Sequence, residues 1–120
     1  TAEAGIGVWL YRFDKAANLP QYKNYGATHA AEMAYMFNTF DNPKSHAREF
    51  HDRNDKNVRS VARDWSTTIA SFMKFGQPSV KSIESWPAYN GKEENCLIIN
   101  DDFKVSQHVD SSHQKLWASC

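Results

Sequence analysis

The sequence has no excess of charge of either sign and no long apolar run. Lysine and arginine together number 14, as do aspartate and glutamate, so no broad electrostatic attraction to nucleic acid or to an anionic membrane is expected. No stretch approaches the roughly 20 apolar residues of a membrane-spanning helix. The first residues, TAEAGIG, lack the charged and apolar regions of a signal peptide. The sequence therefore predicts neither a nucleic-acid partner nor a membrane span.

Several motifs of catalytic and cofactor chemistry are also missing. Cys96 and Cys120 do not form a Cys-x-x-Cys pair, and no serine lies between glycines in the Gly-x-Ser-x-Gly pattern of a nucleophile elbow. Gly5 and Gly7 form only a Gly-x-Gly, without the third glycine of a dinucleotide site. We therefore expect no cofactor in this chain and see no nucleophilic serine in the expected setting.

The histidines raise the question of a metal site. His46 and His51 are five positions apart, as are His108 and His113, whereas a zinc helix places two histidines four positions apart on one face. Solvated surface histidines are the other interpretation of this spacing. We expect no metal site.

The aromatic content is the first positive signal. Aromatic residues make up 13% of 120 residues and include four tryptophans, which predicts a folded chain of one domain or part of one. VWLYRFD, Val8–Asp14, is apolar at odd and even positions alike, as is typical of a strand covered on both faces. Such a strand, followed by helical segments, predicts an α/β fold.

Two helices are predicted in the first two thirds of the chain. Ala30–Phe37 indicates a short helix, whose apolar face is formed by Met33, Met36 and Phe37. The clearest periodicity lies between Asn54 and Phe75 and predicts a long amphipathic helix. Its apolar stripe, interpreted as core rather than pocket, consists of Val58, Val61, Ala62, Trp65, Ile69, Phe72 and Met73. Gly76 and Pro78 follow as stop signals.

The last third of the chain predicts a hairpin and a final helix. WPAYNG, residues 86–91, is rich in turn formers, and Trp86 is most simply a packing residue. CLIIN, DD and FKVSQHV then indicate a β-hairpin. A short helix is predicted from Asp110 to about Trp117.

His29 is placed on a loop shortly after the first predicted strand. In α/β-hydrolases the triad residues follow the chain order serine, acid, histidine, so the histidine belongs on a loop beyond a late strand. From its position alone, His29 is either such a catalytic histidine or a structural or surface residue.

Several segments, taken in order, resemble the C-terminal part of the type-B carboxylesterases, the family that includes cholinesterases and related lipases. The late strand of that family is similar to VWLYRFD, and its histidine loop has a form similar to GATHAAEMAYMF. Its long helix ends in a phrase like WSTTIASFMKFGQPS, and segments like WPAYN and CLIIN follow. The resemblance covers most of the chain, from about Gly7 to about Phe103.

The resemblance implies that residues 1–120 are the C-terminal segment of a single α/β-hydrolase domain and that His29 is its triad histidine. The serine, the acid and the glycine-rich oxyanion loop would then lie upstream or in a companion chain, so no nucleophile elbow is expected here. The implied activity is serine-dependent hydrolysis of carboxylic esters, with the remainder of the hydrolase as the main partner of this chain. Secretion is implied by the family and is supported by the two cysteines.

The residues after His29 depart from the family's pattern at two positions. Ala30 stands where the family commonly has glycine, which removes freedom at positive φ. Ala31 stands where cholinesterases place an aromatic residue near the cationic head of the substrate, so a neutral carboxylic ester is favoured over a choline ester. Glu32 resembles the acid of the family's His-x-x-Glu pattern. It either anchors the histidine loop by hydrogen bonds or is an acid at a helix start.

Several alternatives remain open from the sequence. Cys96 and Cys120 form a bridge, remain free thiols, or pair with cysteines upstream. The cholinesterase-like fold also serves as an adhesion or interaction domain, so a catalytically inactive relative is the alternative to an esterase. A small α/β protein without any companion is the third interpretation.

Overall fold

Residues 6–119 are described by a computed structural model. In chain order its elements are strand β1 (Leu10–Phe13), helices α1 (Glu32–Met36) and α2 (Lys56–Phe75), strands β2 (Cys96–Ile99) and β3 (Phe103–Ser106), and helix α3 (Ser111–Ala118). Two 3₁₀ turns, Lys23–Tyr25 and His46–Glu49, precede α1 and α2. Among these described residues, no helix is long and apolar enough to cross a membrane.

The described strands form a mixed sheet in the order β1-β2-β3. β1 runs parallel to β2, with Leu10 opposite Cys96 and Phe13 opposite Ile99. β2 and β3 form the predicted antiparallel hairpin, in which Ile99 pairs with Phe103. Because a parallel pair needs a long crossover, both α1 and α2 lie in the connection between β1 and β2.

The prediction that the first strand is covered on both faces is wrong for this structure. Tyr11 and Phe13 pack against the core, whereas Leu10 and Arg12 are exposed. Side chains alternate along a strand, and among the described residues the core packs against the face that carries Tyr11 and Phe13 and leaves the other face exposed. The strand that is buried at every position is the central one, β2, at Cys96–Ile99.

Helix α2 confirms the strongest periodicity in the sequence. The Asp55 carboxylate caps its first turn by accepting a hydrogen bond from the Asn57 N–H at 2.7 Å. Gly76 ends the helix with a φ of 73°, and its N–H donates to the Phe72 carbonyl oxygen at 2.8 Å. Glycine takes this left-handed conformation without steric cost, which explains why the helix stops there.

The buried stripe of α2 is shorter than predicted. Val58, Val61, Ala62, Trp65 and Thr68 are buried, and the Trp65 ring lies 4.7 Å from that of Tyr11 between centroids. Phe72 and Met73, predicted as core, are 42% and 75% exposed. The helix continues to Phe75, past Thr68, the last buried residue of the stripe, so its apolar periodicity extends beyond its buried part.

Helix α1 presents a different face to the core from the one predicted. Ala34 and Tyr35 are buried, Met36 is partly buried, and Met33 and Phe37 are exposed. Ala30 has a φ of 60°, which is incompatible with an α-helix, so α1 begins at Glu32 rather than at residue 30. The start of the helix and its contacts, rather than hydrophobicity alone, decide which face is buried.

The C-terminal elements follow the sequence closely. Helix α3 lies within one residue of its predicted bounds, and Trp86 packs in the core as predicted. Cys96 is a buried free thiol in β2, and Cys120 lies outside the described residues. A bridge, one of the three alternatives that the sequence left open for these cysteines, is therefore not shown.

Candidate functional site

The loop between β1 and α1 is anchored to the sheet directly after β1 and is closed on itself farther along. After β1, the Asp14 N–H donates to the Ile99 carbonyl oxygen at 2.8 Å and so extends the parallel pairing. Lys15 is buried, and its ammonium group forms an ion pair with Asp101 in the hairpin turn. Farther along, the Ala17 N–H donates to the Gly26 carbonyl oxygen at 3.2 Å. These contacts hold the segment that delivers His29.

His29 lies exposed in a tight turn. The Ala31 N–H closes this turn by donating to the Thr28 carbonyl oxygen at 3.2 Å. Ala30, directly after the histidine, has a φ of 60°. A residue with a Cβ pays roughly 1–2 kcal/mol for that conformation, whereas glycine adopts it freely. The position at which the sequence replaces glycine by alanine is thus one where the backbone favours glycine.

His29 lines a cleft of about 390 Å³. One wall of this cleft is the histidine turn, residues 28–31, and the other is formed by His46, Ala47, Phe50 and His51. Among the residues that the structure describes, no hydrogen bond or ion pair occupies the His29 ring. The ring is therefore accessible to a reactant in the cleft.

His51 has the opposite environment, although it lines the same cleft. It is only 2% exposed, and its Nδ1 lies 2.8 Å from the Tyr35 hydroxyl oxygen. Burial, and secondarily the charge of Lys15, lowers the pKa of His51 to about 4. The imidazole is therefore neutral near pH 7 and keeps one nitrogen as an acceptor.

The direction of the bond between Tyr35 and His51 follows from hydrogen-bond satisfaction. Burial, followed by the charges of Asp101 and Asp55, raises the pKa of Tyr35, so its hydroxyl keeps its proton. Within residues 6–119, His51 is the hydrogen-bond partner found for this hydroxyl. The Tyr35 O–H therefore donates to His51 Nδ1, because the reverse assignment would leave a buried hydroxyl proton unpaired.

The expectation that the histidines other than His29 are solvated is wrong for His51. The residues that sequence reasoning missed are His51, its partner Tyr35, and Phe50 on the cleft wall. No local signal identifies them, since Tyr35 and His51 are 16 positions apart and meet only through the packing of α1 against the segment before α2. His46, by contrast, is exposed and pairs with Glu49 at 3.3 Å.

Glu32 is the first residue of α1 and directly follows the turn that carries His29. The pKa of Tyr11 is raised mainly by the burial of its own side chain and secondarily by the negative charge of Glu32. Among residues 6–119, no side-chain hydrogen bond joins Glu32 to the histidine loop. Its role in supporting that loop stays a prediction.

No metal centre is found in the part of the chain that the structure describes. No group of three or more His, Cys, Asp or Glu side chains there is placed to hold a metal ion.

A mixed sheet with a crossover through helices, followed by a hairpin and a helix, is consistent with the C-terminal part of an α/β-hydrolase fold. The sequence model of the carboxylesterase family matches residues 1–117. This chain therefore belongs to the carboxylesterase family.

Solved structures agree with this assignment. A PNB esterase is 25% identical to the chain, with a TM-score of 0.76, over 91% of this chain and 21% of the esterase. The carboxylesterase of Geobacillus stearothermophilus is 23% identical, with a TM-score of 0.78, over 98% of this chain and 23% of that protein. An esterase of Clostridium hathewayi that can hydrolyse aliphatic aromatic polyesters is 19% identical, with a TM-score of 0.72, over 98% of this chain and 22% of the esterase.

The chain thus spans about a fifth of the length of these esterases. No curated protein sequence matches it significantly.

Proposed function

We propose that this chain supplies the acid–base histidine, His29, of a serine esterase that hydrolyses carboxylic esters. The serine, the triad acid and the oxyanion loop are contributed by a longer polypeptide of which this chain is a part, or by a companion chain. The observation that carries the proposal is the His29 ring itself, which lies on a closed turn beside a cleft and has no partner among the described residues. Membership of the carboxylesterase family supports the reaction class.

The proposed reaction consists of two acyl transfers. His29 accepts the proton of the serine hydroxyl as the serine oxygen bonds to the ester carbonyl carbon. The resulting imidazolium donates this proton to the alcohol oxygen as the carbon–oxygen bond breaks, which releases the alcohol and leaves an acyl-serine. Water then attacks the acyl carbon, gives its proton to His29, and the serine oxygen recovers that proton as the acid departs.

The other histidines fit this role less well. His51 is bonded to Tyr35, and its lowered pKa makes it a weak base. His108 pairs with Glu94 at 2.9 Å, on a segment beside the terminal hairpin. His46 lines the cleft and pairs with Glu49, and is therefore the competitor that an experiment has to separate from His29.

The test uses the full-length protein and a p-nitrophenyl ester. His29→Ala is expected to lower kcat by on the order of a thousandfold or more. His113→Ala, at an exposed histidine of α3, is the matched control and should retain wild-type activity. A loss with His46→Ala as large as that expected for His29→Ala, with His29→Ala remaining active, would transfer the role to His46.

A fluorophosphonate probe, which labels an active serine, tests whether the catalytic serine lies outside these 120 residues. Labelling of a serine outside these 120 residues supports the proposal, and labelling within them contradicts it. If the intact assembly takes up no label, the protein is instead an interaction domain. A native mass of 13.7 kDa with cooperative unfolding would show that the chain is an independent protein and would overturn the companion argument.

A further inference from the structure

Asn18 joins the loop that leads to His29 to the segment that follows the opposite wall of the cleft. Its Nδ2 donates to the Asp55 carboxylate at 2.9 Å, and its Oδ1 accepts from the Asp52 N–H at 2.8 Å. Asp52 directly follows His51, which lines that wall. We propose that Asn18 is a positioning residue, which holds the histidine turn at a fixed place relative to the start of α2. The inference rests on the proposed function, because it takes His29 as the group that transfers the proton.

The near end of this link leads to the histidine turn. Ala17, next to Asn18, is buried, and its N–H donates to the Gly26 carbonyl oxygen at 3.2 Å. This bond closes residues 17–26 into a loop, so Asn18 and Gly26 lie at the same end of it. His29 is three positions after Gly26. A displacement of Asn18 is therefore passed on to the backbone that carries His29.

The far end of the link is a fixed part of the fold. Asp55 caps α2: its Oδ1 accepts from the Asn57 N–H at 2.7 Å, and its Oδ2 accepts from Asn18. The bond from Asn57, and to a lesser extent the bond from Asn18, lowers the pKa of Asp55, so its carboxylate is ionised near pH 7 and accepts strongly. Helix α2 buries Val58 and Trp65 in the core. Asn18 is thus tied to an element that core packing holds in place.

His29 depends on its backbone for its position. Among residues 6–119, no hydrogen bond or ion pair holds its ring. A misplacement of about 1 Å can cost about 100-fold in rate, because proton transfer needs a narrow range of distances. The Leu19 N–H, which donates to the Phe50 carbonyl oxygen at 3.3 Å, also joins the two segments. Loss of Asn18 should therefore displace His29 only partly, with an expected cost of about tenfold in kcat.

The experiment measures kcat and KM for a p-nitrophenyl ester in the full-length protein, with the active serine titrated to completion by a fluorophosphonate. Asn18→Asp removes the donor and sets a second carboxylate against Asp55, whereas Asn18→Ala removes both bonds without adding charge. Each is expected to lower kcat per titrated serine by about tenfold, with KM within about twofold of wild type. Asn42→Ala is the matched control and should retain wild-type kcat, because the Asn42 amide accepts from the Lys44 N–H in its own exposed turn and does not line the cleft.

A double variant separates positioning from a merely structural role. Asn18→Asp combined with Asp55→Asn exchanges donor and acceptor and keeps a capping side chain on α2. It should bring kcat per titrated serine back to within about twofold of wild type. A structural role alone would change the amount of titratable serine and the thermal midpoint, but not kcat per titrated serine.

The inference is overturned if kcat per titrated serine in folded Asn18→Ala stays within about twofold of wild type, or if the double variant recovers none of the loss in Asn18→Asp. If Asn18→Asp does not fold, Asn18→Ala and the double variant still decide the outcome. His29→Ala separates the two levels. If it remains active, the proposed function itself fails, whereas an inactive His29→Ala beside fully active Asn18 variants removes only the positioning role.

Discussion

His29 and His51 line one cleft but have opposite environments. His29 is exposed on a turn, and no partner occupies its ring among the described residues. His51 is buried, accepts a hydrogen bond from Tyr35, and has its pKa lowered to about 4. A general base has to gain and lose a proton within each turnover, whereas a histidine that stays neutral can serve as a fixed part of the wall.

On the proposed function, the comparison assigns the proton transfer to His29 and a structural role to His51 within a single cleft. Burial makes protonation of His51 unfavourable, and the same burial makes its bond to Tyr35 valuable for folding. We therefore expect changes at His29 to affect activity and changes at His51 to affect stability.

The largest expected effect concerns His29. Its replacement by alanine should reduce esterase turnover on the order of a thousandfold or more while the thermal midpoint stays nearly unchanged, because an exposed side chain contributes little to stability. Turnover of a p-nitrophenyl ester and a thermal melt of the same preparation measure both quantities. A large drop in the midpoint would mean that His29 also has a structural role.

Removal of the buried His51 ring should instead affect mainly the stability of the protein. His51→Ala is expected to lower the free energy of unfolding by about 2–4 kcal/mol, because it leaves a cavity and an unpaired Tyr35 hydroxyl. Tyr35→Phe removes the hydrogen bond but keeps the ring, so about 1 kcal/mol is expected for it. Urea unfolding measures both variants, and equal losses would contradict the assigned contribution of packing at His51.

The lowered pKa of His51 makes stability depend on pH. An unfolded chain binds a proton at this imidazole near pH ~6.5, whereas the folded chain does so only near pH 4. Stability is therefore full above pH ~6.5 and decreases as the pH falls towards 4, by about 2 kcal/mol between pH 7 and pH 5. The unfolding free energy should change less with pH in this range for His51→Gln than for wild type. An equal pH dependence in the two proteins would contradict His51 as its cause.

The smallest expected effect concerns the backbone beside His29. Ala30→Gly should stabilise the protein by about 1 kcal/mol, because glycine adopts the observed φ of 60° without strain. Ala31→Gly is the matched control: Ala31 has a φ of −60°, so glycine there should instead destabilise by about 0.5–1 kcal/mol. Thermal melts of the two variants measure both effects. A shift of the midpoint in the same direction for the two would contradict backbone strain at Ala30.

Local elements were predictable, and the faces they bury were less so. Helix α2 and the hairpin from Cys96 to Ser106 lie where periodicity and turn residues predicted them. The core face of α1, the single covered face of β1 and the exposure of Phe72 differ from the predictions. Periodicity reports which residues share a side of an element, but not which neighbour covers that side or for how many turns.

The candidate site likewise has one part that the sequence predicted and one part that it did not. His29 was identified from its loop and from the family resemblance, whereas the opposite wall of the cleft was not. Phe50 and His51 lie in a segment that matches the family less specifically, and their partners Tyr22 and Tyr35 belong to other elements. The sequence identified Ala30 only as an alanine where the family commonly has glycine, and the structure shows that its φ is positive.

The sequence by itself determined most of the elements and the family, because these depend on local patterns and on segments in a fixed order; His29 as the catalytic histidine stays a prediction. The tertiary structure alone decided that His51 is buried beside Tyr35 and that Phe50 stands across the cleft from His29. A pKa and a cleft depend on burial and on contacts between residues distant in the chain. These arise only when α1, the 3₁₀ turn at His46–Glu49 and the sheet pack together.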